Sequence, residues 1–326
     1  MCSNVSRRAE GYPYSQCHAE PGCAADRLQR PFLRRFRFQR RLTPGVRALQ
    51  LHVLESQTGR RKEKAMPVMT SAAELRAAAR RGAWRGTTGG HCPAYQQANL
   101  VILPQEAAVE FAAFCTRNPA PCPLIEITPP GEPEPAYAAP GADLRTDLPG
   151  YRIYRKGTLA EQWGDIRDLW RDDLVAFLLG CSLTFEHALI EVGVPLRNVE
   201  RNTMISMFVS NLACVPAGRF HGPMVVTMRP IPEAQVDLVC ELTSRYPHAH
   251  GAPVHIGNPE AIGITDLGRP DYGEPVPIYA QEIPVFWGCG VTPQAVAEKA
   301  CVDLMITHEP AQMFVTDLPR EGGRRS

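Results

Sequence analysis

Short apolar runs alternate along the chain with stretches whose apolar residues recur at helical spacing. Ala98–Leu103 is one such run, and Pro104 closes it. Helical spacing follows over Gln105–Arg117, and a second apolar run covers Pro123–Ile127. A run of this length between breakers is typical of a buried strand, and spacing of three or four residues is typical of a helix. The strand–helix–strand order therefore predicts an α/β fold.

The same order returns in the second half of the chain. The predicted strands are Met224–Met228, Pro253–Gly257, Pro284–Gly288, Leu304–Thr307 and Met313–Thr316, and the predicted helices are Glu233–Tyr246 and Pro293–Asp303. Such alternation favours a mixed, partly parallel sheet or sheets with flanking helices. The middle differs, because Asp165–Gly193 is predicted to be one long helical stretch or two helices that meet near Gly180. The Pro-rich segment 129–140 is predicted to be a surface connection and is the candidate boundary between two lobes.

Charge divides the chain near residue 65. Residues 1–65 carry 14 Lys and Arg against 5 Asp and Glu, although the net charge of all 326 residues is only +1. This excess predicts a basic N-terminal extension that is disordered or that precedes the natural start at Met66 or Met69. A transit-like peptide and a nucleic-acid-binding arm are the open alternatives. Residues 66–320 are predicted to form the catalytic domain, whose charge gives no case for a nucleic-acid partner.

The sequence indicates neither a membrane-spanning segment nor a disulfide framework. The best apolar run, Leu174–Leu183, is too short to cross a bilayer and soon meets Glu186. The 11 cysteines form no C-x-x-C pair and no regular spacing. This pattern favours reduced thiols and a cytoplasmic protein. The predicted partner is a small molecule, with a homo-oligomer left open.

Three polar residues follow predicted strands at their carboxyl ends, where ligands gather in open α/β sheets. They are Arg229, Cys289 and His308. The most pointed signal is the turn 288–294, in which Gly290 lets the backbone approach a ligand and Thr292 is predicted to cap the next helix. Free amides at that helix start would bind a carboxylate or activate the Cys289 thiol. A buried, inert cysteine is the alternative.

Two further groups of residues could carry chemistry. Glu186 lies on a predicted helix after an apolar run, where it could act as a general acid or base or simply face solvent. His248, His250 and His255 stand at a spacing that could ligate a metal, but no carboxylate follows at a diagnostic spacing. The sequence therefore predicts neither a metal site nor a cofactor, and a divalent metal remains an open alternative.

Eight segments taken together carry a resemblance to one family. They are YQQANLVILP (95–104), FCTRNPAPCPLIE (114–126), DLRTDLP (143–149), GCSLTFE (180–186), MVVTMRP (224–230), HGAPVHIG (250–257), PVFWGCGVTPQ (284–294) and ITHEP (306–310). Their ordered occurrence, from about Ala73 to Asp317, resembles the D-glutamate cyclase family of hydro-lyases. Two departures replace glycine by alanine at turns, at Ala94 and Ala311.

The resemblance implies a hydro-lyase that closes D-glutamate to 5-oxo-D-proline with loss of water, and the reverse. This chemistry needs a base for the amine, an acid for the leaving hydroxyl and donors for the tetrahedral oxygen. The predicted catalytic residues are Glu186, His308 and Cys289, the last through the amides of its turn. The predicted substrate-binding residues are Arg229 as carboxylate clamp, Asn99, Gly290, Thr292 and His250. The open alternatives are a hydratase or dehydratase of another small carboxylic acid and a non-catalytic carboxylate-binding protein.

Overall fold

The computed structural model describes residues 68–201 and 203–322, so the predicted basic extension, 1–65, lies outside the described residues. The described strands are β1 Tyr95–Pro104, β2 Leu124–Ile127, β3 Tyr151–Arg155, β4 Thr158–Trp163, β5 Leu174–Gly180, β6 Ser206–Ala213, β7 Pro223–Pro232, β8 His255–Ile256, β9 Glu282–Gly288, β10 Met305–His308 and β11 Phe314–Pro319. The α-helices are α1 Ala72–Arg80, α2 Gln105–Arg117, α3 Leu183–Glu191, α4 Arg197–Arg201, α5 Val236–Ser244 and α6 Thr292–Ala300. Short 3₁₀ turns cover Arg167–Leu169, Glu233–Gln235, Pro247–Ala249 and Pro259–Ile262.

The strands form two sheets, which confirms the α/β class. The first sheet has seven strands in the order β2-β5-β1-β10-β3-β4, and β11 also pairs with β1. The second has four strands in the order β6-β7-β9-β8. Every pair of named strands among the described residues is antiparallel. The predicted partly parallel character is therefore wrong, because the alternation of strands and helices along the chain does not determine the direction in which two strands pair.

The predicted long helix over Asp165–Gly193 is also wrong. Its apolar part, Leu174–Gly180, is β5, a fully buried strand that pairs with β1 from Leu174↔Pro104 to Gly180↔Ala98. A continuous apolar run has no period that separates a buried strand from a buried helix. Only the part after Gly180 is helical, as α3.

The lobe boundary predicted at 129–140 joins β2 to β3, two strands of the same sheet. The chain instead leaves the first sheet after α3 and returns to it after α6. The β3–β4 hairpin and β6 were not predicted. The hairpin turns at Lys156 and Gly157, whose φ values of 50° and 78° are those of a tight left-handed turn.

The core of the first sheet lies on both of its faces. Leu103 packs on one face with Phe111 and Phe114 of α2, and Leu100 packs on the other face with Tyr151. β1 is buried on both faces, and its second half, from Leu100 to Pro104, is apolar throughout. No helix in the described part of the chain is long and apolar enough to cross a membrane.

Candidate functional site

Two strand–turn–helix units of the protein share one sequence pattern, Gly-Cys-x-x-Thr. The first is 180–184, between β5 and α3, and the second is 288–292, between β9 and α6. Each unit begins at the last residue of a strand and leads into a nine-residue helix. The two turns are therefore equivalent positions in two similar halves of the fold.

The threonine of each unit makes the same contact. The Gln97 amide of β1 donates to Thr184 Oγ1 at 3.1 Å, and the Val225 amide of β7 donates to Thr292 Oγ1 at 3.0 Å. In both sheets the donor lies on the strand beside the one that leads into the turn. These bonds fix both helix starts against their sheets in the same way.

The first glycine of each unit packs against the other half. A Cβ on Gly180 would lie 1.6 Å from the His248 carbonyl oxygen, which precedes β8 of the second sheet. A Cβ on Gly288 would lie 2.8 Å from the Ala120 carbonyl oxygen, which precedes β2 of the first sheet. Only glycine allows such an approach. The contacts are reciprocal, so the two turns have an approximate two-fold relationship.

The cysteine of each unit also has an equivalent setting. The Leu183 N–H faces the Cys181 sulfur, and the Val291 N–H faces the Cys289 sulfur. Burial raises the pKa of Cys181 to about 12 and that of Cys289 to about 11. Both side chains are therefore neutral thiols at neutral pH.

The third position of each turn carries a buried amide that has no acceptor among the described residues. These are the backbone N–H groups of Ser182 and Gly290. Asn99 lies beside them: its Nδ2 donates to the Gly180 carbonyl at 2.8 Å, and a Cβ on Gly290 would lie 2.1 Å from that nitrogen. Asn99 is 4% exposed, and its Oδ1 has no donor within the described part of the chain. Open donors and acceptors that lie together on buried residues indicate a place for a polar ligand.

Arg229 and Glu186 form a buried ion pair next to this place. Arg229 Nη2 lies 2.6 Å from Glu186 Oε1 and also donates to Ser182 Oγ at 3.0 Å. Nη1 donates to Thr227 Oγ1 at 3.3 Å. The predicted position of Arg229 after a strand end is wrong, because β7 continues to Pro232 and Arg229 lies inside it. Most of its donors are already bound within the protein.

Aromatic and amide groups complete the setting of this ion pair. The Arg229 guanidinium lies 5.2 Å from the Phe185 ring centre and 5.3 Å from that of Trp287. Asn198 Nδ2 donates to Glu186 Oε1 at 3.2 Å. Glu186 Oε2 has no donor within the described residues. The ion pair is thus anchored on one carboxylate oxygen, and the other is open.

His250 is held in an unusual backbone conformation at the edge of the site. Its φ is 79°, which is rare for a residue other than glycine, and the residue is 3% exposed. Nδ1 lies 2.7 Å from the Ala120 carbonyl oxygen, which can only accept, so the ring proton is on Nδ1. Nε2 therefore carries a free lone pair. Burial, reinforced by the charge of Arg229, lowers the pKa of His250 to about 4, so the ring is neutral.

His308 Nδ1 faces the backbone of Leu100. The Leu100 amide nitrogen lies 3.2 Å from this ring nitrogen, and the Leu100 carbonyl oxygen lies 3.4 Å from it. Burial lowers the pKa of His308 to about 4, and the charge of Arg152 acts in the same direction. His308 is the last residue of β10, opposite the neighbour of Asn99 on β1. Among the described residues no hydrogen bond joins it to Glu186 or Arg229.

Several other predicted residues serve the fold. The Thr292 hydroxyl, predicted to bind substrate, also lies 3.2 Å from the Val225 carbonyl oxygen, so both of its polar functions are used. It is the first helical residue, and Val291 is the N-cap. His248 and His255 each contact a different backbone carbonyl. Within the described residues no three His, Cys, Asp or Glu side chains are grouped to hold a metal ion.

Comparison with known proteins agrees with the resemblance found in the sequence. The family model of the D-glutamate cyclases matches residues 175–317. A relative from Geobacillus kaustophilus is 55% identical over 251 residues, which cover 77% of this chain and 95% of that protein. A Bacillus subtilis relative is 52% identical over 248 residues, 76% of this chain and 96% of its own. Both carry provisional names as hydro-lyases.

Among solved structures, a nitrogen repressor-like protein from Methanococcus jannaschii matches with a TM-score of 0.32 and 8% identity. The match covers 75% of this chain and 98% of that one. Likeness at this level bears on neither fold nor function.

Proposed function

This chain belongs to the D-glutamate cyclase family, and from that premise we propose that it is a hydro-lyase interconverting D-glutamate and 5-oxo-D-proline. In one direction the amine of D-glutamate attacks its γ-carboxyl carbon and water leaves; in the other, water opens the lactam. The attacking group already belongs to the substrate, so no enzyme nucleophile is required.

The observation that carries the proposal is the pair of open, buried amides at Ser182 and Gly290. Ring closure passes through a tetrahedral carbon that bears a negative oxygen, and backbone N–H groups aimed at that oxygen stabilise it. The nearby Asn99 Oδ1 can accept a hydrogen bond from the amine or the lactam N–H. An acceptor and donors together match a molecule that carries nitrogen and oxygen on neighbouring atoms.

His250 is the proposed base. Its Nε2 lone pair is open, and a ring with a pKa of about 4 is unprotonated throughout the neutral range. It can therefore take a proton from the nitrogen as the C–N bond forms. His308, through its Nε2, is the proposed proton donor to the departing hydroxyl.

Glu186 and Arg229 are proposed to position other groups. Glu186 Oε1 is already bound to Arg229 and Asn198, and this pairing holds the guanidinium on Ser182 Oγ. This changes the roles predicted from the sequence, in which Glu186 was an acid or base. Arg229 Nη1 carries a second N–H besides the one that it donates to Thr227 Oγ1, and this N–H is the proposed clamp on the substrate carboxylate.

Ring closure moves no electrons between molecules, so we propose a reaction that needs no organic cofactor. Addition of a chelator, followed by Mg²⁺ or Mn²⁺, tests the open alternative of a divalent cation. All cysteines of the described residues are free thiols, which supports the proposed cytoplasmic location.

The direct test incubates the purified protein separately with D-glutamate and with 5-oxo-D-proline and follows both compounds by chiral chromatography. We expect conversion toward one equilibrium ratio from either side. Heat-denatured protein is the control. Absence of turnover from both sides, with binding of either compound detected by calorimetry, would replace the enzyme by a carboxylate-binding protein.

A further inference from the structure

The two thiols at the centre of the site are equivalent through the approximate two-fold relationship. Cys181 and Cys289 follow the two glycines that pack under each other's half of the fold. The Cys289 thiol raises the pKa of Cys181, and the charge of Arg229 lowers the pKa of both thiols. The ring-closing reaction proposed above uses neither sulfur, so this symmetric arrangement is left without a role.

We propose that Cys181 and Cys289 lie on opposite faces of the bound amino acid or lactam and exchange the hydrogen on its α-carbon, which gives the protein a second activity as a racemase. The inference rests on the proposed ligand. Two groups related by a two-fold axis reach a ligand on that axis from opposite sides. This is the geometry that inversion at a tetrahedral carbon needs, because one group removes a proton and the other supplies one.

The exchange step conserves atoms and electrons. One sulfur, as thiolate, takes the α-hydrogen as a proton, and the electron pair of the broken C–H bond stays on the substrate as a carbanion. The adjacent carboxyl group delocalises that charge. The opposite thiol then gives its proton to the other face and forms the new C–H bond. One thiol and one thiolate remain, with their places exchanged, and no oxidant or reductant is consumed.

The groups around the thiols suit this step. The open amides of Ser182 and Gly290 can bind the carboxyl oxygen on which negative charge develops. The Leu183 and Val291 amides face the sulfurs and stabilise the thiolate. Asn99, nearly fully buried with an open Oδ1, can hold the nitrogen and so fix the α-carbon between the two sulfurs.

The experiment places the full-length protein in D₂O with 5-oxo-D-proline or D-glutamate. Deuterium on the α-carbon is read by mass spectrometry, and the L-product by chiral chromatography. We expect deuterium uptake and L-product well above the protein-free rate. Both should fall by about 100-fold or more in Cys181→Ala and in Cys289→Ala. Cys115→Ala, at a buried thiol in the core, should stay close to the parent protein.

The pH profile separates the thiols from His250. For a thiol with a pKa of about 11, the fraction present as thiolate rises about tenfold per pH unit between pH 7 and 9. The exchange rate should therefore rise in the same proportion. A base whose pKa is about 4 gives a flat profile over that range. If the alanine variants do not fold, the serine variants carry the same test.

Ring closure and exchange are read separately, so their failures are distinguishable. Turnover without deuterium uptake overturns the racemase and leaves the proposed cyclase in place. Deuterium uptake without L-product shows one-sided exchange and overturns the two-thiol geometry. Uptake that survives loss of either thiol, or a flat pH profile, overturns it equally. If neither turnover nor deuterium uptake is observed, both the cyclase and the racemase proposals are overturned.

Discussion

Arg229 and Glu186 bind each other out of reach of solvent, with side chains 1% and 6% exposed and 2.6 Å between Nη2 and Oε1. A desolvated charge that loses its partner is far more costly than an exposed one. The pair therefore links the second sheet to the start of α3, and neither member can be changed alone without cost.

We expect Arg229→Met and Glu186→Gln each to lower the free energy of unfolding by about 3–5 kcal/mol, because each leaves a buried group unpaired. The double variant should lose less than the sum of the single losses. Urea denaturation of the four proteins measures this coupling. Arg245→Met at the exposed pair with Glu241 is the matched control and should cost less than about 1 kcal/mol. Additive losses would mean that the ion pair contributes no coupling.

His250→Asn tests the proposed base. Asparagine tolerates positive φ better than most residues, so the variant should keep the fold while it loses the Nε2 lone pair. The rate of ring closure should fall by about 100-fold or more, with little change in the midpoint of urea unfolding. His255→Asn, in the same region but outside the site, is the control. A His250→Asn variant with full turnover would exclude this histidine as the base.

Gly290→Ala tests the close approach of the turn to Asn99. The added Cβ would lie 2.1 Å from Asn99 Nδ2, so the amide must move and the turn must re-aim its N–H. We expect nearly complete loss of ring closure, partly restored when Asn99→Ser makes room. Gly86→Ala is the control, since its Cβ meets nothing closer than 3.9 Å and should be tolerated. Normal turnover in Gly290→Ala would remove this turn from the site.

The two buried neutral histidines predict a dependence of stability on pH. Burial lowers the pKa of His250 and of His308 to about 4, whereas a histidine in the unfolded chain has a pKa near about 6.5. Between these values the unfolded chain binds protons that the folded protein does not. The free energy of unfolding should therefore fall as pH falls from about 6.5 to about 4, by about 1.4 kcal/mol per pH unit for each histidine.

Urea denaturation at several pH values across that window measures the slope. His250→Asn should make it shallower by about 1.4 kcal/mol per pH unit, and the additional change of His308→Asn should do so again. An unchanged slope in either variant would show that the corresponding ring titrates normally in the folded protein.

The sequence was a good guide where local signals act alone. The helix Gln105–Arg117 is observed with the predicted bounds. Strand direction and pairing depend on contacts between distant residues, which local periodicity does not encode. The antiparallel return of β10 and β11 to β1 is such a case.

For the candidate site too, features set by local sequence could be predicted, and features set by contacts between distant residues could not. The glycine turn 288–294 is predicted from its own residues, but its equivalence to segment 180–184 is not, although both turns read Gly-Cys-x-x-Thr. That repetition was the available signal. The setting of His250 could not be inferred from sequence, because its tautomer is fixed by the carbonyl of Ala120 on a distant loop.

The order in which β1 acquires its partners bears on how the protein is made. Its neighbours β10 and β11 come from the end of the chain, some 200 residues after β1 itself. During synthesis, one side of β1, a strand rich in apolar residues, must remain unpaired until β10 and β11 have left the ribosome. Such late, long-range pairing slows folding, and until it is complete the chain exposes an unpaired strand edge that is prone to aggregation. Yield from a cell should therefore depend on temperature and on chaperone supply more steeply than the stability of the finished protein would suggest.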